Sequence, residues 1–137
     1  MILPDLDVPR DLAEFLDRFV RNFPQVQEIW LFGSRADGTS SEASDWDLLV
    51  LSGDSLTAEA VAAANHFRRD DYALFIARGN EFRCPWPRSK DGAIESGNFQ
   101  NWKWRWYGDT AEYVSAKENR PLSTGRAIRV WCRGQQG

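Results

Sequence analysis

The residues whose types and spacing carry chemistry lie within 26–51, VQEIWLFGSRADGTSSEASDWDLLVL. Gly33-Ser34 separates two apolar runs, and the second run opens on Asp45 and Asp47 with Trp46 between them. Residues 26–32 are β-branched and aromatic enough for a buried strand. The strand stops at Gly33, where a backbone without a side chain can approach a ligand closely. Ser34 can accept from the free N–H groups of a short following helix, so the turn would offer backbone donors, a hydroxyl and the Arg35 guanidinium to an anion. Residues two apart on a strand share a face, so Asp45 and Asp47 project together while Trp46 points into packing. Two carboxylates held so close repel unless compensated, and a pair of hard divalent cations is the usual compensation where phosphates are handled. Oxygen ligands, with the sole histidine, His66, far along the chain, favour magnesium over zinc.

Gly33-Ser34-Arg35-Ala36 followed by Ser44-Asp45-Trp46-Asp47-Leu48 resembles the signature of the nucleotidyltransferase superfamily that includes DNA polymerase beta, most closely its minimal single-domain bacterial and archaeal members. The resemblance covers the first half of the chain, to about Ile76. It implies a metal-dependent transfer of a nucleoside monophosphate from a nucleoside triphosphate, ATP foremost, to an acceptor hydroxyl. Asp45 and Asp47 would hold two magnesium ions, and Gly33, Ser34 and Arg35 would bind the nucleotide. A third acid on the strand beside the Asp-x-Asp strand would complete the metal site and take the acceptor proton. Asp71 is the candidate by position, with Asp70 second and Asp91 and Glu95 as further alternatives. The acceptor implied is a protein hydroxyl, a small hydroxylated molecule or a nucleic-acid end, and minimal members of the family often work as the antitoxin beside a helical toxin. The alternative is a nucleotidyltransferase fold without turnover, binding nucleotide, nucleic acid or a protein partner.

These residues need elements to hold them. Leu12, Phe15, Leu16, Phe19 and Val20 recur at three- and four-residue steps among charged neighbours, which predicts an amphipathic helix that starts near Asp7 and Pro9 and packs on the sheet. Alanine-rich residues 57–67 predict a second helix, with His66 near its end in a structural role. Residues 72–77, YALFIA, predict a third strand after Asp70-Asp71. Residues 78–98 predict a long loop or short hairpin, with Arg83, Arg88 and Lys90 as solvated charges or triphosphate contacts. Residues 99–107, FQNWKWRWY, alternate strictly, which predicts an outer strand with Trp102, Trp104 and Trp106 on one face and Lys103 and Arg105 on the other. That pattern suits tryptophans covering the sheet, and secondarily a surface for single-stranded nucleic acid. Asp109-Thr110-Ala111-Glu112 has capping-box spacing and predicts a short helix to about Glu118, with Tyr113 facing inward. Residues 126–132, RAIRVWC, predict a last strand.

The expected fold is α/β, a mixed sheet of about four or five strands with helices packed mainly on one face. The 137 residues suffice for one domain, with 1–77 as the motif-bearing core and 78–137 as its tryptophan-rich extension. A formal net charge of −3 argues against a chain-wide electrostatic grip on nucleic acid. The absence of a long apolar segment predicts no membrane span and, by default, a cytoplasmic protein. Cys84 and Cys132 lack metal-ligand spacing and are expected as reduced thiols.

Overall fold

The structure, a computed structural model, describes residues 9–33, 36, 46–53, 55–87, 92–115 and 123–133. Helix α1, Arg10–Asn22, begins after Pro9, whose fixed φ suits the turn before a helix and whose carbonyl accepts from Ala13 N–H at 3.0 Å. Its buried residues are the five apolar positions of the sequence pattern. Helix α2, Ala58–Ala62, is capped by Thr57, whose side chain accepts from Ala60 N–H. A 3-10 turn, Asn65–Phe67, follows and sets the His66 ring against Phe67.

The strands are β1 (Glu28–Phe32), β2 (Trp46–Leu51), β3 (Tyr72–Arg78), β4 (Glu81–Arg83), β5 (Ser96–Asn98), β6 (Arg105–Tyr107), β7 (Thr110–Ser115) and β8 (Ser123–Cys132). They form one sheet in the order β5-β4-β3-β2-β1-β8-β7-β6. Among the described residues only β2 and β3 pair in parallel, because α2 and the 3-10 turn carry the chain back across the sheet between them. The two outermost strands, β5 and β6, are joined by residues 99–104, so the sheet curls and brings its edges together as a half-barrel. Ring contacts span the concavity: Trp30 of β1 meets Trp106 of β6 at 5.0 Å, and Phe82 of β4 meets Trp102 at 5.2 Å.

This corrects the expected α/β architecture of four or five strands with helices on one face. The sheet has eight strands, and both of its faces are buried. On the convex face α1, Val61 and Phe67 pack against Ile29, Leu31, Leu48, Val50, Leu74 and Ile76. On the concave face the protein covers itself with Trp30, Phe32, Phe75, Phe82, Trp102 and Tyr113. The physical reason is aromatic mass. Edge-to-face pairs of this kind add about 0.5–1.5 kcal/mol each beyond their burial, and curling the sheet lets one ring serve several partners.

Three local expectations are decided with it. Residues 110–115 are strand β7, not a helix, because Ala111 and Tyr113 are needed on the concave face. The turn before it, Gly108-Asp109, closes a two-residue hairpin in which Tyr107 pairs with Thr110 and Gly108 has φ 69°. Gly79-Asn80 does the same between β3 and β4, with φ 61° at Gly79, so of the long loop or short hairpin expected over 78–98 a hairpin is present, followed by β5. The run 99–107 is not one strand: Lys103 sits at φ 51° and breaks it. The tryptophans nevertheless pack on the concave face while Lys103 and Arg105 remain exposed, with Trp106 itself 45% exposed at the rim. Cys84 is buried, Cys132 is half-buried and both are thiols outside any disulfide. No helix among the described residues is long and apolar enough to cross a membrane.

Candidate active site at the Gly33 turn

Asp47, the second residue of β2, pairs with Phe32, the last residue of β1. Strand alternation puts its side chain on the concave face with Leu49, at the end of the sheet where β1 turns. Gly33 follows Phe32 with φ 78°, a conformation that glycine adopts without strain. A Cβ on Gly33 would lie 3.4 Å from Asp47 Cγ and inside contact distance of Oδ2. The missing side chain is therefore what lets the half-buried carboxylate sit beneath the turn. Gly33 O accepts from Ala36 N–H at 3.0 Å, closing the turn, and Gly33 N–H donates to the Tyr113 hydroxyl at 2.9 Å.

Tyr113 is the functional neighbour that the sequence reading placed in a helix. Its ring lies parallel to Trp104, with centroids 4.8 Å apart and planes at 10°, and edge-on to Phe32 at 5.8 Å. Across the β7–β8 pairing it covers Gly125, where a Cβ would stand 2.7 Å from Tyr113 Cε2 and closer still to Cζ and the hydroxyl. A stacked ring over a glycine leaves one direction for the hydroxyl, toward Gly33. The second half of the chain thus reaches the motif-bearing turn through the Tyr113 hydroxyl. Gly125→Ala is accordingly expected to lower stability by about 1–3 kcal/mol in denaturant unfolding, as overpacked sites do. In a Tyr113→Ala background the same change should cost little, and equal costs in both backgrounds would refute this packing.

The β2–β3 register sets Ala73 opposite Asp47, so the adjacent strand supplies no acid at that level. Asp71 stands just before β3, and its carbonyl accepts from Trp46 N–H at 2.9 Å, which holds its main chain beside the start of β2. Its carboxylate is taken by Arg69, whose Nε and Nη2 donate to the two oxygens at 2.9 Å each. Arg69 also stacks 4.4 Å over the Tyr72 ring. The hydrogen bond to Asp71 raises the Arg69 guanidinium above its ordinary value, outweighing partial desolvation. Burial raises the Tyr72 hydroxyl, and Arg69 pulls it partly back. Asp70 is exposed, and Glu95, just before β5, is separated from β2 by β3 and β4. Arg83 approaches Glu59 at 3.8 Å. Ser34, Arg35, Asp45, Arg88, Lys90 and Asp91 lie outside the described residues.

Asp47 offers carboxylate oxygens beside the turn, the ligand type of a hard cation, and among the described residues no group of three or more histidine, cysteine or acidic side chains is placed to hold a metal ion. The family model of the nucleotidyltransferase domain matches residues 12–84, more than half of the chain, from α1 through β4. The chain belongs to the nucleotidyltransferase domain family. No curated protein and no solved structure matches it. Strands β5 to β8, which bring Tyr113 to the turn, lie beyond the family match.

Proposed function

We propose that the chain transfers a nucleoside monophosphate from a nucleoside triphosphate, ATP foremost, to an acceptor hydroxyl, using Asp45 and Asp47 as magnesium ligands. The observation that carries this reading is the Asp47 carboxylate packed beneath Gly33, where only a glycine leaves room for it. Two bound magnesium ions would neutralise charge on the triphosphate and on the attacking and leaving oxygens. The protein's own part is positioning. Gly33, Ser34 and Arg35 orient the outer phosphates, and Tyr113 fixes the turn from the opposite wall. The acceptor oxygen forms its bond to the α-phosphorus, pyrophosphate leaves, and the acceptor proton passes to a carboxylate, for which Asp71 remains the candidate. Asp71 takes that role by exchanging its Arg69 partner. Residues 1–77 and 78–137 act as one unit in this reading, in the cytoplasm, with a protein acceptor such as an antitoxin's partner among those to be tried.

The test is incubation with α-labelled ATP, CTP, GTP or UTP, magnesium and cell extract, with and without chelator. The expected result is labelled acceptor that chelation abolishes. Transfer that persists after chelation would contradict the metal requirement. One observation favours a second reading, a fold that binds nucleotide without turnover: Ala73 faces Asp47, and the Asp71 carboxylate is already engaged. Triphosphate binding with no label transferred from any of the four nucleotides would select it.

A further inference from the structure

Cationic side chains gather at a second place in the molecule. On the convex side a cavity of about 420 Å³ opens between α1 and the 3-10 turn, with Phe15 and Phe67 as its floor and Arg18, Arg21, Arg69 and His66 around it. No carboxylate lines it among the described residues, in a chain whose net charge is −3. Arg18 and Arg21 are exposed on successive turns of the same helix, and Arg69 enters from the segment that leads into β3. Arg18 has no carboxylate partner among the described residues. Arg21 has Asp17, but at 3.2 Å between side chains 78% and 54% exposed, a pairing that water and salt weaken readily. Arginines around a partly apolar cavity, with the exposed His66 ring lying on Phe67 at its edge, are the chemistry that recognises a phosphate joined to a flat, apolar-faced group. The volume lies within the range of ordinary small-ligand sites.

We propose that this cavity is a second nucleoside-phosphate site, distinct from the Gly33 turn, with Arg18, Arg21 and Arg69 on the phosphate and the base against the exposed His66 ring. The occupant is a free nucleotide or the terminal nucleotide of a single strand, since both present the same group. Resting on the proposed transfer reaction, the site acquires a further consequence. Arg69 joins the cavity to the catalytic end of the sheet: it holds Asp71, whose carbonyl accepts from Trp46 N–H one residue before Asp47. A phosphate that takes Arg69 withdraws it from Asp71 and releases that carboxylate at the start of β2. Occupancy of the cavity is thereby coupled to the supply of the third acid.

The experiment measures binding of AMP, and separately of a five-nucleotide single-stranded RNA, to the full chain without divalent metal. Wild type is compared with the Arg18→Glu/Arg21→Glu and Asp47→Asn variants. Both arginines are exposed, so the charge-reversed protein should fold as wild type does, which circular dichroism checks. The expected result is a loss of about tenfold or more in affinity on charge reversal, and none in Asp47→Asn. Binding of AMP alone identifies a free nucleotide as the source. Tighter binding of the RNA, weakening with salt, identifies a strand end. Equal affinity of wild type and the charge-reversed variant for both probes, or no binding of either probe to wild type, would overturn the proposal. Failure of label transfer with this binding intact would count against the transfer reaction alone.

Discussion

Asp47→Asn is expected to abolish nucleotidyl transfer while leaving the fold in place. The substitution keeps the volume beneath Gly33 and removes the charge, so the turn has no new clash to accommodate. What is lost is a hard anionic ligand at the point where charge develops on the triphosphate, and such electrostatic contributions amount to several kcal/mol of the barrier. We expect kcat/KM to fall by at least about a thousandfold, the scale that roughly 4 kcal/mol implies. Far-ultraviolet circular dichroism and the denaturant midpoint should stay near wild type. Retention of a tenth or more of the activity would show that Asp47 does not hold the reacting triphosphate's cation.

Gly33→Ala is the second large effect, and it acts on stability and activity together. At φ 78° any residue with a side chain is strained by about 1–3 kcal/mol. The new methyl would also meet Asp47 Oδ2 at less than contact distance, so either the carboxylate swings away or the turn lifts from Tyr113. Either movement misplaces the group on which transfer depends, and a displacement near 1 Å costs roughly a hundredfold in rate. Equilibrium unfolding and steady-state transfer measured on the same preparation should both decline. Full stability and full activity in the alanine variant would mean that the glycine is not the contact point between turn and carboxylate.

The motif half of the protein was readable because its signals are local. The helical spacing of Leu12, Phe15, Leu16, Phe19 and Val20 needs only a burying face to one side, and α1 buries those residues. The run ending at Phe32 and the run opened by Asp47 each carry enough apolar residues to be strands in almost any context. What escaped was long-range. Asp109 and Glu112 have the spacing of a helix cap, but Tyr113 is worth more on a strand. There it stacks on Trp104, covers Gly125 and bonds to Gly33, 80 positions away. A signal did exist. Gly79-Asn80 and Gly108-Asp109 are both glycine-first pairs between strand-forming runs, the composition of a two-residue hairpin, and both close one. Reading them selects the short hairpin over the long loop in 78–98 and replaces the helix with a strand, though it does not give the curl that joins β5 to β6. The place of a third acid depends on strand register, which local sequence does not carry: the β2–β3 pairing sets Ala73 opposite Asp47 and leaves Asp71 just before β3.

The measurement that bears most directly on the site is manganese(II) binding, followed by electron paramagnetic resonance, in the presence of a non-hydrolysable nucleoside triphosphate. The account predicts that wild type immobilises manganese only when the triphosphate is present and that Asp47→Asn does not. Identical spectra for the two proteins would contradict a metal-bridged triphosphate at the Gly33 turn.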